Sequence, residues 1–366
     1  MKVFLSATSL NEVYGGPAHS VSRLAVSLVE SGVEVGLWAA DQTAPSTRLV
    51  PPRTAIRRLS GSAVEALKNF GTPNILHDNG IWRQHNHQLA VLARERGISR
   101  IVSTRGMVEP WARNHKRLKK YVAWLAYQKR DLQTADCHHA TAESEAANLL
   151  ALRLGVSVTT IPNGVDVPTC AARKQNTSSQ PTTERRRTAL FLGRLCPVKG
   201  LEMLIDAWAR TRPRNWQLCI AGPDEAGYRS RLEDLVSTFS LGDVVGFIGP
   251  IYGQAKQDLL FGADLFVLPT YSESFGMAIA EALAHGLPVL TTTNAPWAAL
   301  HDHDCGWSVA PTVAGIAQGL IQATGTDSRI LRVMGDNGQR FVASELGWKH
   351  IAARVISLYR SLLGRA

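Results

Sequence analysis

Leu265-Phe-Val-Leu-Pro-Thr-Tyr-Ser-Glu-Ser-Phe-Gly-Met-Ala-Ile-Ala-Glu281 reads as a strand and a turn giving way to a helix, with Glu273 at the turn and Glu281 in the helix. Leu265–Leu268 is a short apolar run of the length a buried strand needs. Phe275 to His285 has the pattern of the helix, with Ser274 as its N-cap and Gly286 and Pro288 beyond its end. Free N–H groups at such a helix start attract anions. A carboxylate beside them is misplaced unless it meets something else, such as sugar hydroxyls. Glu281 lies about 12 Å farther along the axis, at roughly 1.5 Å per residue. One helix of this kind can hold a diphosphate at its tip, a sugar on one side and a ribose on the other. The plain alternative is a capped surface helix with two solvated glutamates.

The same strand–helix alternation runs in both directions from this stretch. Val3–Leu5, Val35–Trp38, Ile75–His77, Ile101–Thr104, Cys137–Ala140 and Val158–Ile161 read as strands of a first sheet. Ala189–Leu192, Gln217–Ala221, Val245–Ile248, Leu265–Leu268, Pro288–Thr292 and Gly306–Val309 read as strands of a second. Helical patterns lie between them, such as His19–Ser31, Gln88–Arg96, Leu201–Thr211, Arg229–Thr238 and Gln254–Ala263. Such alternation means parallel sheets covered on both faces. Residues 169–187 are polar, rich in Ser, Thr and Gln, and read as a linker. The expected architecture is α/β, with two Rossmann-like domains facing each other across a cleft. Residues 1–168 form the first, 188–347 the second, and a helix in 348–366 crosses back to brace the first.

Composition narrows the class. A chain of 366 residues is too long for one ordinary core, and 45% apolar with 19% charged residues is normal for a soluble globular protein. No apolar run approaches the roughly 20 residues that span a bilayer, and the apolar stretch of the N-terminus is too brief for a secretory signal. Five scattered cysteines without a Cys-x-x-Cys pair fit a reducing cytoplasm. The net charge of +10 is uneven, at +7 for residues 1–168, +4 for 169–187 and −1 for the rest. No nucleic-acid module accompanies it. Arg113, Lys116, Arg117, Lys119 and Lys120 lead into Tyr121-Val-Ala-Trp-Leu-Ala-Tyr127. This pattern suits a helix lying on an anionic bilayer, or an amphipathic helix packed on a domain with its basic side in water.

Two loops carry further chemistry. Asn11-Glu-Val-Tyr-Gly-Gly-Pro-Ala-His-Ser20 follows the first strand, and Gly15 and Gly16 allow close backbone approach to a ligand or simply a tight turn. A dinucleotide fingerprint and a Walker lysine are both absent here. Phe191-Leu-Gly-Arg-Leu-Cys-Pro-Val-Lys-Gly200 places Arg194 and Lys199 at a strand's carboxyl end, where open α/β sheets bind ligands. Both cations suit phosphate oxygens.

Gly193-Arg-Leu-x-Pro-x-Lys-Gly200, Ala221-Gly-Pro-Asp224, Phe247-Ile-Gly-Pro250 and Glu273-Ser-Phe-Gly-Met-x-x-x-Glu281-Ala, in this order, resemble glycosyltransferase family 4, retaining enzymes of GT-B fold. Tyr14-Gly-Gly-Pro, Asp78-Asn-Gly-Ile-Trp82, Arg105-Gly-Met-Val-Glu-Pro-Trp111 and Ile161-Pro-Asn-Gly-Val-Asp166 extend the resemblance toward a bacterial surface-polysaccharide subgroup. The resemblance implies catalytic roles for Arg194 and Lys199, which would stabilise the leaving diphosphate, and for Glu273, which would hold hydroxyls of the transferred sugar. Glu281 would bind the ribose. The backbone of Ser274, Phe275 and Gly276 would donate to sugar and phosphate, and Gly15 and Gly16 would close over the diphosphate. Gly222, Pro223, Ile248 and Gly249 would shape the base pocket. The acceptor side would hold His77, Asn79 and Arg105. Arg105 and Asn79 stand where many relatives have histidines, so Arg105 either meets an acceptor phosphate or donor oxygen, or pairs with Glu109.

No cofactor or metal is expected. His301-Asp-His-Asp304 reads as a solvated loop, His85 and His87 as helix-surface residues, and no Asp-x-Asp motif is present. The resemblance implies a hexosyltransferase using a nucleotide sugar, with GDP-mannose first and a UDP-hexose second. The expected acceptor is a lipid-linked oligosaccharide, the expected location is cytoplasmic on the inner face of the membrane, and nucleic acid is not expected as a partner. Alternatives are a soluble transferase acting on a small acceptor, a non-catalytic nucleotide-sugar or nucleic-acid binding protein, and a GT-B epimerase.

Overall fold

Alternation along the first strand builds two core layers. Val3 and Leu5 pack with Val21, Leu24 and Leu28 on one face, while Phe4 packs with Phe70 and Leu89 on the other. A strand covered on both faces must be apolar throughout, as parallel strands are. The computed structural model describes residues 1–12, 15–109, 112, 117–168 and 185–364. The chain divides into two compact units, Met1–Gly164 with Trp348–Ala366, and Val165–Gly347.

In the first unit, β1 (Lys2–Ala7), β2 (Glu34–Ala39), β3 (Arg57–Leu59), β4 (Ile75–Asn79), β5 (Ser99–Ser103), β6 (Cys137–Ala140) and β7 (Val158–Thr160) form a parallel sheet. Its order is β3-β2-β1-β4-β5-β6-β7. In the second, β8 (Arg187–Leu192), β9 (Trp216–Ala221), β10 (Val245–Gly249), β11 (Leu265–Leu268), β12 (Val289–Thr292) and β13 (Gly306–Val309) are also parallel. Their order is β10-β9-β8-β11-β12-β13. Each sheet therefore reverses its direction of growth beside its first strand, between β1 and β4 and between β8 and β11. Loops leaving the two central strands diverge there and leave a crevice at their carboxyl ends.

Helix Trp348–Leu363 belongs to the first unit. Trp348, Ile351, Val355, Ile356, Tyr359 and Leu362 recur at helical spacing and enter the same cluster as Val21, Leu24 and Leu28. Among the described residues, no helix is long and apolar enough to cross a membrane.

The structure departs from the sequence reading in several places. The first sheet has a seventh strand, β3, at its edge; its two arginines are exposed, so no apolar run betrays it. Helices Ala63–Phe70, Glu143–Leu150, Val313–Gly325 and Ser328–Glu345 complete the layers and were not singled out by the sequence. Arg187, counted in the linker for its charge, opens β8. Its guanidinium covers the Trp216 ring at 4.5 Å and donates to the carbonyls of Thr324 and Thr326. Residues 169–184 of that linker lie outside the described residues. The acidic helix spans Met277–Ala284, capped by Gly276 at φ 86° and not by Ser274. Glycine adopts that left-handed conformation without a Cβ penalty, which delays the first helical residue.

Candidate active site

The loop after β8 is pressed between its neighbours. Gly193 N–H donates to the Ala221 carbonyl and Leu195 N–H to that of Pro223, which lays the loop along the one after β9. Gly222 makes this approach possible: it has φ +145°, and a Cβ there would stand 1.8 Å from the Gly193 carbonyl oxygen. On the other side, Tyr271 N–H and Thr270 Oγ1 donate to the Val198 carbonyl at 2.8 and 3.1 Å. Gly200 fits only because it lacks a Cβ, which would lie 2.0 Å from the Pro269 oxygen. The segment bearing Arg194 and Lys199 is thus fixed at the reversal point of the second sheet.

Three cation–carboxylate pairs follow. Lys199 Nζ lies 2.5 Å from Glu273 Oε2, with side chains only 17% and 13% exposed. Arg194 pairs with Glu225 at 2.5 Å, near solvent. Lys256, from helix Gly253–Gly262, pairs with Glu281 at 2.7 Å. Cys196, buried in the loop that carries Arg194 and Lys199, has its thiol pushed up by burial, and it feels the charges of Arg194, Glu225 and Lys199 together. Both cations therefore flank one loop. The turn before the acidic helix is held by Trp297, whose indole N–H donates to the Phe275 carbonyl at 2.5 Å with the rings 5.5 Å apart. The first N–H groups of that helix have no carbonyl within it to bond. Ile248 is half exposed at the end of β10, and Gly222 N–H bonds the Gly249 carbonyl beside Pro223. Glu225 and Lys256 escaped the sequence reading. Glu225 follows Gly222-Pro-Asp224 directly, so its position was a usable signal; nothing local marks Lys256.

At the first sheet's reversal, Gly15 (φ 83°) caps helix Gly16–Glu30, with Pro17 in its first turn. Asn79 ends β4, and its Oδ1 accepts from Arg105 Nε at 3.1 Å and Nη2 at 2.6 Å. Arg105 Nη1 donates to Asn163 Oδ1 at 2.7 Å. Burial lowers the Arg105 pKa to about 10, and the nearby Glu145 carboxylate opposes that shift, so the guanidinium is charged at neutral pH. Glu145 is fully buried and accepts from Thr104 Oγ1, Gly106 N–H and both Thr141 donors, which locks the Arg105 turn. The sequence reading missed it.

His77 is a correction. It is fully buried, with Nδ1 2.7 Å from the Tyr359 hydroxyl and Nε2 2.7 Å from Ser103 Oγ. Ser103 Oγ is also 2.7 Å from His139 Nδ1. One imidazole nitrogen meets Tyr359 of the C-terminal helix and the other Ser103 of β5, so His77 is packed inside the first unit and does not line an open surface. His87 pairs with Asp131, and the His85 ring lies against Trp38, so neither is a plain surface residue. Among the described residues, no group of three or more His, Cys, Asp or Glu could hold a metal ion. Of the basic run, Arg117 and Lys119 are exposed, Lys120 turns inward over the Trp82 ring at 5.6 Å, and Arg113 and Lys116 lie outside the described residues.

Two doubly wound units, each with glycine and charged residues at its sheet reversal, define a two-domain Rossmann-like α/β protein. The chain belongs to the glycosyl transferases group 1 family, whose model matches residues 172–356, just over half of it. A glycosyl transferase 4-like domain matches residues 15–164. A D-inositol 3-phosphate glycosyltransferase of Catenulispora acidiphila is 27% identical, over 94% of this chain and 90% of that protein. An uncharacterised glycosyltransferase of Methanocaldococcus jannaschii is 30% identical, over 48% of this chain and 46% of its own. An MMP alpha-(1->4)-mannosyltransferase of Mycolicibacterium hassiacum is 24% identical, over 56% and 48%. The chain thus spans about half the length of two of these relatives. Among solved structures, sucrose-phosphate synthase from Thermosynechococcus elongatus superposes with TM-score 0.81 at 23% identity over the whole of both chains. Anabaena HepE in complex with UDP and glucose gives 0.75 at 17%, over 99% and 100%. The fold is GT-B.

Proposed function

We propose that this chain is a retaining glycosyltransferase that moves a hexose from a nucleoside-diphosphate sugar to a lipid-linked oligosaccharide in surface-polysaccharide synthesis. The donor is GDP-mannose first and a UDP-hexose second. The observation that carries the reading is the largely buried Lys199–Glu273 pair at the reversal of the second sheet. It joins a phosphate-binding cation to a hydroxyl-binding carboxylate.

In this reading Lys199 and Arg194 hold the diphosphate, Glu273 the sugar hydroxyls and Glu281 the ribose. The backbone of Ser274, Phe275 and Gly276 donates to the sugar and phosphate. Gly222, Pro223, Ile248 and Gly249 line the base. The bond from the anomeric carbon to the leaving phosphate oxygen breaks while the acceptor oxygen bonds on the same face. The acceptor proton passes to the departing phosphate, so no separate base is needed. Negative charge grows on the phosphate, and prepositioned cations stabilise it without reorganising. Gly15 and Gly16 give the first sheet's reversal close backbone access to a ligand. Asn79 and Arg105 serve the acceptor, the latter as a charged donor to acceptor oxygens.

Support for a nucleotide-sugar donor comes from the HepE structures, described with UDP and with UDP-glucose. The mannosyltransferase relative supports mannose. A second reading, a transferase acting on a small phosphorylated acceptor, draws on the inositol-phosphate relatives and on the charged Arg105. Thermal unfolding with GDP, UDP and ADP tests the donor: the true base, at 100 times its dissociation constant, stabilises by about 2.7 kcal/mol. No shift with any of the three defeats the reading.

A further inference from the structure

Helix Arg117–Ala123 continues through a π-turn, Trp124–Gln128, into Lys129–Gln133. Leu118, Tyr121, Val122 and Leu125 stand at steps of three and four residues and so make one stripe. They are 83%, 62%, 65% and 66% exposed. Among the described residues of these segments, the exposed charges are all basic: Arg117, Lys119, Lys129 and Arg130. The one acidic residue of these segments, Asp131, is buried against His87 and Arg94.

The inner face explains the π-turn. Gln128 Oε1 accepts the Trp82 N–H at 2.6 Å, and the Tyr127 hydroxyl donates to the Trp82 carbonyl at 3.0 Å. At this widened turn, consecutive side chains grip both backbone polar groups of one residue, Trp82. Trp82, at φ 73°, stands three residues beyond Asn79, so this helix is bolted to the loop that leaves β4.

We propose that the stripe is a bilayer-docking face. Leu118, Tyr121, Val122 and Leu125 enter the surface of an anionic phospholipid leaflet, and Arg117, Lys119, Lys129 and Arg130 meet its phosphates. The inference rests on the lipid-linked reading of the acceptor and deepens it, because the Trp82 anchor sets the membrane contact beside Asn79 and Arg105. A second copy of the chain is the poorer occupant. Pairing through the stripe would bring identical basic residues together, whereas a leaflet offers the opposite charge. Four side chains also cover far less than the roughly 1,200 Å² of a stable protein interface.

Co-sedimentation with phosphatidylcholine vesicles, with and without phosphatidylglycerol, tests it. The protein should pellet with the anionic vesicles and not with the neutral ones. The double variant Leu118→Glu/Leu125→Glu should lose at least about tenfold in partitioning, since each leucine's burial is worth more than a factor of ten. Lys119→Gln/Lys129→Gln should lose about fivefold per charge, at ~1 kcal/mol each. Ile330→Glu, which alters an exposed apolar residue of the other unit, should pellet like the parent. Parent protein that stays in the supernatant, or a stripe variant that pellets undiminished, overturns the proposal. So does a parent dimer that the stripe variant dissociates, because a second copy is then the occupant. Thermal shifts with GDP and UDP report separately: their absence from the parent defeats the donor reading and leaves the vesicle result standing.

Discussion

Replacing Glu273 by Gln separates the two duties assigned to the Lys199–Glu273 pair. The ammonium and carboxylate are 2.5 Å apart and mostly shielded from water, so an incoming diphosphate must share Lys199 with Glu273 or displace it. Glutamine keeps the shape and removes the competing charge. A hydrogen bond between charged groups is worth about 1.5–3 kcal/mol, so releasing Lys199 should leave nucleoside-diphosphate affinity unchanged or tighten it by up to about 100-fold. Lys199→Ala removes the phosphate partner itself. A hydrogen bond to a charged group is worth about 1.5–3 kcal/mol, so affinity should fall roughly 10- to 100-fold. Sugar transfer should fall in both variants, because one loses the grip on sugar hydroxyls and the other the stabilisation of the leaving group. Isothermal titration with GDP and UDP, paired with a transfer assay, reads both effects. If Glu273→Gln weakens nucleoside diphosphate as much as Lys199→Ala does, Glu273 supports the phosphate site and does not read the sugar, and the assignment fails.

Other outcomes follow from the same geometry. Burial lowers the His139 pKa from 6.5 to about 4 and also holds His77 well below its usual value, so both are neutral when folded. The unfolded chain takes up these protons first, so stability is full above about pH 6.5 and falls as pH drops toward 4. His139 alone should cost about 2 kcal/mol near pH 5, and urea midpoints of His139→Asn should show a flatter pH dependence. Lys256→Met leaves Glu281 without its cation, so donor KM should rise three- to tenfold, equivalent to ~1 kcal/mol, with kcat within about twofold, because ribose contacts serve ground and transition states alike. An equal fall in kcat would contradict that role. Gly222→Ala forces a Cβ against the Gly193 oxygen at φ +145° and should destabilise by roughly 3 kcal/mol; an unchanged unfolding midpoint would refute the close approach.

Much of this protein was legible residue by residue. Apolar runs of four to six residues divided by helical patterns identify two parallel sheets, and strand ends such as Leu268 and Ala140 fall where expected. Arg194, Lys199 and Glu273 stand out because they lie beside glycines in short loops at strand ends, and Glu281 stands on the helix that follows. β3 escaped because an edge strand needs no apolar face, and the helix start was misplaced because a left-handed glycine outranks a serine cap.

Strand positions, the loops that bear the charges and the family were therefore determined by the sequence itself, since periodicity, glycine and charge act over a few neighbouring residues. Partnership was decided only by tertiary structure. Lys199 meets Glu273, 74 residues on, because β8 and β11 lie side by side, and His77 is sealed by Tyr359, 282 residues away. No local preference encodes which strand ends a sheet order makes adjacent, and that adjacency settles which charges are paired and which histidine is buried.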